Sequence, residues 1–192
     1  MDNFNYDTYC GIYCGACDIM MAHKTGMKFK LASFWDESTV KTFQKKLGIP
    51  YDSTQPFTYK CNGCKSGNLF VNCSVCQIRK CAINTGVEHC IDCGKYPCNL
   101  IVDSQKMASL LPHLKCNRTN MEIIQSKGVG QWLAEQESKW KCPDCQTSFS
   151  WYSGKCKNCG TDLRKYTYKF SFLKAAILKT GIRYLPFKQK AT

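Results

Sequence analysis

Apolar side chains recur at helical spacing in several short stretches of this chain and never in a long continuous run. From 36 to 47 the positions Val40, Phe43 and Leu47 share one helical face behind an acidic start, and Gly48-Ile49-Pro50 supplies the stop, which predicts an amphipathic helix. Ile19-Met20-Met21 predicts the start of another. Shorter helices are predicted over 77–84, over 99–111 with a break near Pro112, and over 120–127 and 131–139 on either side of Gly128-Val129-Gly130. The stretch 166–187 mixes Phe170, Leu173, Ile177 and Leu178 with lysines and reads as a basic amphipathic helix. Two regions break the pattern. Residues 51–98 have few long apolar runs, so an ordinary core can draw little from them. Around 140–163, Phe149, Trp151 and Tyr152 sit in a short segment between cysteine pairs, which predicts the β-hairpins of a ribbon.

Cysteine changes this picture most. There are 16 in 192 residues, nearly all in close pairs or triplets, and eight of them fall in the core-poor stretch 51–98. Metal is expected there to replace hydrophobic burial. A secreted disulfide scaffold would show a similar cysteine share, so compartment matters. The start, Met1-Asp2-Asn3-Phe4-Asn5-Tyr6-Asp7, has neither the basic n-region nor the apolar h-region of a signal peptide. No apolar run approaches the roughly 18 residues of a membrane span. A cytoplasmic location is therefore expected, where thiols stay reduced and cysteine pairs serve metals or redox chemistry.

Two CxxC turns can place four thiolates around one tetrahedral ion. Cys142 and Cys145 with Cys156 and Cys159 are separated by ten residues and predict a zinc ribbon, a closed site whose role is folding free energy. Cys61 and Cys64 with Cys73 and Cys76 predict a second site, and Cys81, Cys90, Cys93 and Cys98 a third with softer membership. The triplet Cys10, Cys14 and Cys17 leaves one coordination position to another group. Its CxxxCxxC spacing is also that of radical S-adenosylmethionine enzymes, but the β/α barrel those enzymes need is not written in this chain. The alternative is a closed structural zinc completed by Cys116, His23 or a central cysteine. Cys116 also reads as an ordinary buried thiol, and His89 and His113 as solvent-facing or hydrogen-bonded. No GxSxG, GxxxxGK[ST], HExxH or paired acidic motif occurs, so any catalysis would have to be metal or thiolate chemistry.

The formal charge of +13 invites a nucleic-acid reading but counts every cysteine as neutral. Sixteen thiolates around four zinc ions would remove 8 charges and leave +5. Arg164, Lys165, Lys169, Lys174, Lys179, Arg183, Lys188 and Lys190 put +8 in the carboxyl-terminal tail with no acid among them, so an anionic partner belongs there. Trp151, Tyr152 and Lys155 of the ribbon and the lysines of the tail are the candidate contacts for protein or nucleic acid. The tail could equally rest on a membrane surface, or dock on the body with its lysines in solvent.

Several motifs in order, Cys-Gly-Ile-Tyr-Cys-Gly-Ala-Cys at 10–17, Cys-Asn-Gly-Cys at 61–64, Cys-Gln-Ile-Arg-Lys-Cys at 76–81 and Gly-Val-Glu-His-Cys-Ile-Asp-Cys-Gly-Lys-Tyr-Pro-Cys at 86–98, resemble the cysteine-rich domain-of-unknown-function 3795 family over about residues 8–105. The resemblance implies a bacterial or archaeal cytoplasmic protein, often from anaerobes and taken to bind zinc, with no assigned reaction. All-thiolate ligation suits zinc or iron–sulfur alike. The expected fold class is α+β, small and metal-stabilised, with an α-rich multi-metal cysteine domain at 1–115, a helical connector at 116–140, the β zinc ribbon at 141–163 and the basic tail at 164–192. Three or four zinc ions in a binding module for a protein or nucleic-acid partner is the first functional expectation. The alternative is an iron–sulfur or open-metal enzyme or redox protein centred on Cys10, Cys14 and Cys17.

Overall fold

A computed structural model describes residues 3–184. A 3-10 turn over Cys14–Ala16 leads into α1 (Asp18–Thr25), followed by α2 (Lys30–Phe34) and α3 (Glu37–Leu47). The predicted helix at 36–47 forms as α3 because Asp36 caps it: the carboxylate accepts the Thr39 N–H at 2.8 Å, and Val40 and Phe43 turn inward. Beyond a long loop come α4 (Val71–Ser74), α5 (Gln77–Thr85) and α6 (Asn99–Lys106). The helix expected over 99–111 tightens into a 3-10 turn at Met107–Ser109, and a second 3-10 turn, Pro112–Cys116, opens α7 (Asn117–Lys127) three residues before its predicted start. α8 (Val129–Lys139) packs against α7 across Gly128.

The tail helix is α9 (Phe172–Tyr184); the end of its predicted span, 185–187, lies outside the described residues. Ala175, Leu178 and Ile182 pack against the core, and Lys179 reaches Asp36 at 2.7 Å, which fastens α9 to α3. The opposite face points outward: Phe172 and Leu173 are 91% and 68% exposed. No helix among the described residues is long and apolar enough to cross a membrane.

The expected α+β class with a carboxyl-terminal β zinc ribbon is not what forms. Among the described residues there is no strand or sheet, and the segment carries two isolated bridges, Lys141 with Ser148 and Lys155 with Asp162. A hairpin strand sends successive side chains to opposite faces. Here Phe149, Ser150, Trp151, Tyr152 and Ser153 are buried one after another. Their backbone is shared out among different neighbours: Phe149 N–H donates to Trp140 O at 2.9 Å, Trp151 N–H to Ala16 O at 3.0 Å, and Trp151 O accepts from Tyr168 N–H at 2.7 Å. Tertiary burial has overridden the hairpin pattern.

One apolar cluster runs from Tyr13 through α1, α2, α3 and α8 to Leu163, with Trp132 wholly enclosed and edge-on to Tyr13 at 6.2 Å. Between 51 and 98 the buried side chains are few, namely Cys61, Asn62, Phe70, Ala82 and His89.

His113 joins the two ends of this core. Its ring stacks on Trp151 at 4.1 Å and 5°, and Nδ1 lies 2.6 Å from the Tyr152 hydroxyl. Burial pushes its pKa down to about 3, against about 6.5 in the unfolded chain. The folded state thus refuses a proton that the unfolded state accepts. Stability conferred by neutral His113 is complete above pH ~6.5 and falls by up to about 1.4 kcal/mol per pH unit as the solution is acidified toward 3. His113→Gln is expected to flatten this part of the profile. Denaturant unfolding of both proteins across that window checks it, since acid release of thiolate-bound metal is common to the two.

Candidate metal centres

The carboxyl-terminal set is built from one local structure used twice. Cys142 N–H donates to Thr147 O at 2.9 Å, and Gln146 N–H returns to Cys142 O at 2.9 Å; Cys156 N–H donates to Thr161 O at 2.8 Å, and Gly160 N–H returns to Cys156 O at 3.1 Å. Each turn closes through a left-handed residue, Gln146 at φ 58° and Gly160 at φ 80°. Each also brings a threonine hydroxyl to its second sulfur: Thr147 Oγ1 is 3.3 Å from Cys145 Sγ, and Thr161 Oγ1 is 3.0 Å from Cys159 Sγ. The hydroxyl of Thr147 holds the Cys145 thiol below its ordinary range.

The four sulfurs converge. Cys142 to Cys159 is 3.6 Å and Cys145 to Cys156 is 3.5 Å, and all four lie within 4.8 Å of one another. A disulfide would bring two sulfurs to about 2.05 Å, whereas four sulfurs at ~2.3 Å from a tetrahedral ion stand about 3.8 Å apart. The donor set therefore fits one metal ion, and all four thiols are unbridged. Cys142 and Cys156 are buried while Cys159 is exposed, so the set lies at the surface with its inner half sealed.

The amino-terminal cysteines are arranged differently. Cys10, Cys14, Cys17, Cys61, Cys64, Cys73 and Cys76 line one cavity of about 350 Å³, together with apolar side chains that include Ile19, Trp35 and, from α9, Leu178 and Ile182. Cys81, Cys90, Cys93 and Cys98 line an adjacent void of about 30 Å³, roughly the volume of one water. Four helices begin on a cysteine, Cys17 before α1, Cys76 before α5, Cys98 before α6 and Cys116 before α7. The Met20 and Ile19 amides of α1 lower the Cys17 thiol, but burial outweighs them and pushes it up to about 12. Burial also drives Cys10 and Cys14 well above the ordinary thiol range, with repulsion from neighbouring sulfurs adding to it. A bound cation reverses this balance, because thiolate then replaces thiol as the favoured form. Among the described residues, the 142–159 set is the group whose ligand atoms all fall within 4.8 Å; the seven sulfurs of the large cavity are spread around a space rather than gathered to a point.

The remaining candidates are occupied otherwise. His23 Nδ1 lies 3.0 Å from Cys61 O and 3.2 Å from Cys61 N, so it steadies the knuckle backbone. His89 Nε2 is 3.0 Å from Asp7 Oδ1, and Lys65 Nζ is 2.7 Å from Asp7 Oδ2. Burial opposes ionisation of Asp7, yet these two partners hold its carboxyl below the usual range. The Cys116 thiol donates to His113 O at 3.0 Å, away from the cavity cysteines. Trp151 and Tyr152, offered by the sequence as exposed contacts, are both buried. Sequence reasoning overlooked Thr147 and Thr161, although the duplication Cys-Pro-Asp-Cys-Gln-Thr at 142–147 and Cys-Lys-Asn-Cys-Gly-Thr at 156–161 was there to be read.

A family model described as Protein of unknown function (DUF3795) matches residues 6–103. No curated protein and no solved structure matches the chain.

Proposed function

Because the chain belongs to the DUF3795 family, whose description assigns no activity, we propose that it is a metal-stabilised binding module in which a zinc ion at Cys142, Cys145, Cys156 and Cys159 fixes the carboxyl-terminal fold and α9 presents a docking surface. The observation that carries this reading is the tetrahedral spacing of the four sulfurs, 3.5 and 3.6 Å across the set. Four protein thiolates leave no position for substrate, so the ion there supplies folding free energy. Tetrahedral four-thiolate ligation is the usual form of a closed structural zinc site, and iron takes the same donors.

The docking half of the reading rests on α9. Phe172, Leu173, Ile177 and Tyr184 are exposed beside Lys174 and Arg183. Large apolar side chains ringed by cations suit a protein partner with an acidic rim around an apolar patch. Duplex nucleic acid would use the cations but neither Phe172 nor Leu173, and a single strand could stack a base on Phe172 but would leave Leu173 and Ile177 unused.

Elemental analysis of anaerobically isolated protein tests the first half: at least one zinc per chain is expected, and a chain that carries none overturns it. A photoreactive phenylalanine analogue in place of Phe172, irradiated in the native cell, tests the second. It should crosslink to a protein, and Leu173→Glu should abolish the product; crosslinks to nucleic acid or lipid alone would overturn it.

A further inference from the structure

The turns at 142–147 and 156–161 repeat one local structure, yet their outer sulfurs differ. Cys159 is the exposed member of the set, while Cys142 and Cys156 are buried and Cys145 is half-buried. The threonine beside each outer sulfur is also engaged differently. Thr161 Oγ1 donates to the Asp144 carboxylate of the other turn at 2.5 Å, whereas the Thr147 hydroxyl, 3.3 Å from Cys145 Sγ, meets no carboxylate among the described residues.

A threonine hydroxyl carries one proton to donate. At 2.5 Å that proton is held in a short bond to the Asp144 carboxylate, so the Thr161 oxygen turns lone pairs toward Cys159 Sγ, 3.0 Å away. A metal-bound sulfur is a thiolate, and this one receives no proton from the hydroxyl beside it. Hydrogen bonds to a ligand sulfur draw electron density from it, and withholding one leaves its electron pair more available. Cys159 is thus the most accessible sulfur of the four and the one whose neighbouring hydroxyl is turned to a carboxylate. Behind it, Cys142 Sγ lies 3.6 Å away on the other turn. Closing that gap to a disulfide takes a shift of about 1.5 Å.

We propose that Cys159 is an oxidation site at which a hydroperoxide enters the closed set, and that Cys142 resolves it as a disulfide between the two turns, an inference that rests on the metal site proposed above. The Cys159 thiolate gives its electron pair to one peroxide oxygen, the O–O bond breaks, hydroxide leaves and the sulfur becomes a sulfenic acid. The Cys142 thiolate then attacks that sulfur and displaces a second hydroxide. Two thiolates are oxidised by two electrons and one peroxide is reduced to two hydroxides, which take up two protons as water. Only Cys145 and Cys156 remain as ligands, so the ion is released.

The test uses the full chain isolated without oxygen, its zinc counted, then exposed to limiting hydrogen peroxide. Dimedone, which traps sulfenic acid, should label Cys159 before Cys142, Cys145 or Cys156 by mass spectrometry of digests; without dimedone the first disulfide of the set should join Cys142 to Cys159. Label that falls first on Cys145 or evenly over the four, or a first disulfide within either CxxC pair, overturns the proposal. Asp144→Ala alters no ligand and frees the Thr161 proton for Cys159, so trapping there should slow about fivefold, the worth of one ordinary hydrogen bond. In a Thr161→Val background the same change should have no effect. An unchanged rate in Asp144→Ala, or equal slowing in both backgrounds, overturns the part given to the hydroxyl. A chain that carries no zinc before peroxide fails at the metal site itself, whereas a zinc-loaded chain oxidised in another order fails here alone, so the two failures are read separately.

Discussion

Replacing Gly63 with alanine is expected to cost more than 4 kcal/mol of stability, on the order of the largest single-residue effects. The residue sits at φ 114°, and a Cβ there would stand 1.8 Å from the Asn5 carbonyl oxygen. That oxygen belongs to a backbone segment and cannot swing aside as a side chain would. Asn5 N–H also donates to Asn62 O at 2.7 Å, so the amino-terminal strip and the 61–64 turn are laced together at the point of collision. Relief would separate Cys61 and Cys64 from the cysteines at 10–17. Loss of metal from the amino-terminal cavity should therefore accompany a fall in Tm of about 10 °C or more, at the 2–4 °C per kcal/mol usual for chains of this size. Gly26→Ala is the control. Its φ is 69° and its Cβ would meet nothing within 4 Å, so it isolates the left-handed strain, about 1–2 kcal/mol. Equal effects from the two substitutions, by thermal unfolding and metal analysis, would remove the steric argument.

Cys142→Ser should unfold the closed set, and the damage should not stop there. Structural zinc bound by four thiolates contributes about 10–16 kcal/mol at neutral pH, far more than the neighbouring apolar contacts can replace. The segment those ligands hold supplies Phe149, Trp151 and Tyr152 to the common core, and Trp151 both donates to Ala16 O at 3.0 Å and stacks on His113 at 4.1 Å. Near-ultraviolet circular dichroism, which reports packed aromatics, is expected to change across the whole protein, and a mild chelator acting on the unsubstituted protein should reproduce the change. A native aromatic spectrum that persists in Cys142→Ser would show that this segment is an appendage after all.

The amphipathic stretches were legible because their signals are local. Asp36, Val40, Phe43 and Gly48 mark α3 with little help from the rest of the fold. The four sulfurs that gather at 142–159 were equally plain from spacing. The ribbon was misread because its aromatic residues carry the composition of strands, while their burial is decided largely by Ala16 and His113, which lie far off in sequence. Likewise, CxxC spacing shows that two sulfurs are neighbours along the chain, but not that Gly63 turns one toward α1 and the other toward Tyr9. α2 and α4, with five and four residues, are too short to carry a periodic signature.

One helix takes part both in the wall around the sulfurs and in the outer surface. Leu178 and Ile182 form part of the wall of the thiol-lined space, while Phe172 and Leu173 on the same 13-residue rod face outward. A partner that gripped the outer side of α9 would bear on that wall as well, so its binding is expected to change how fast the cavity thiols are oxidised.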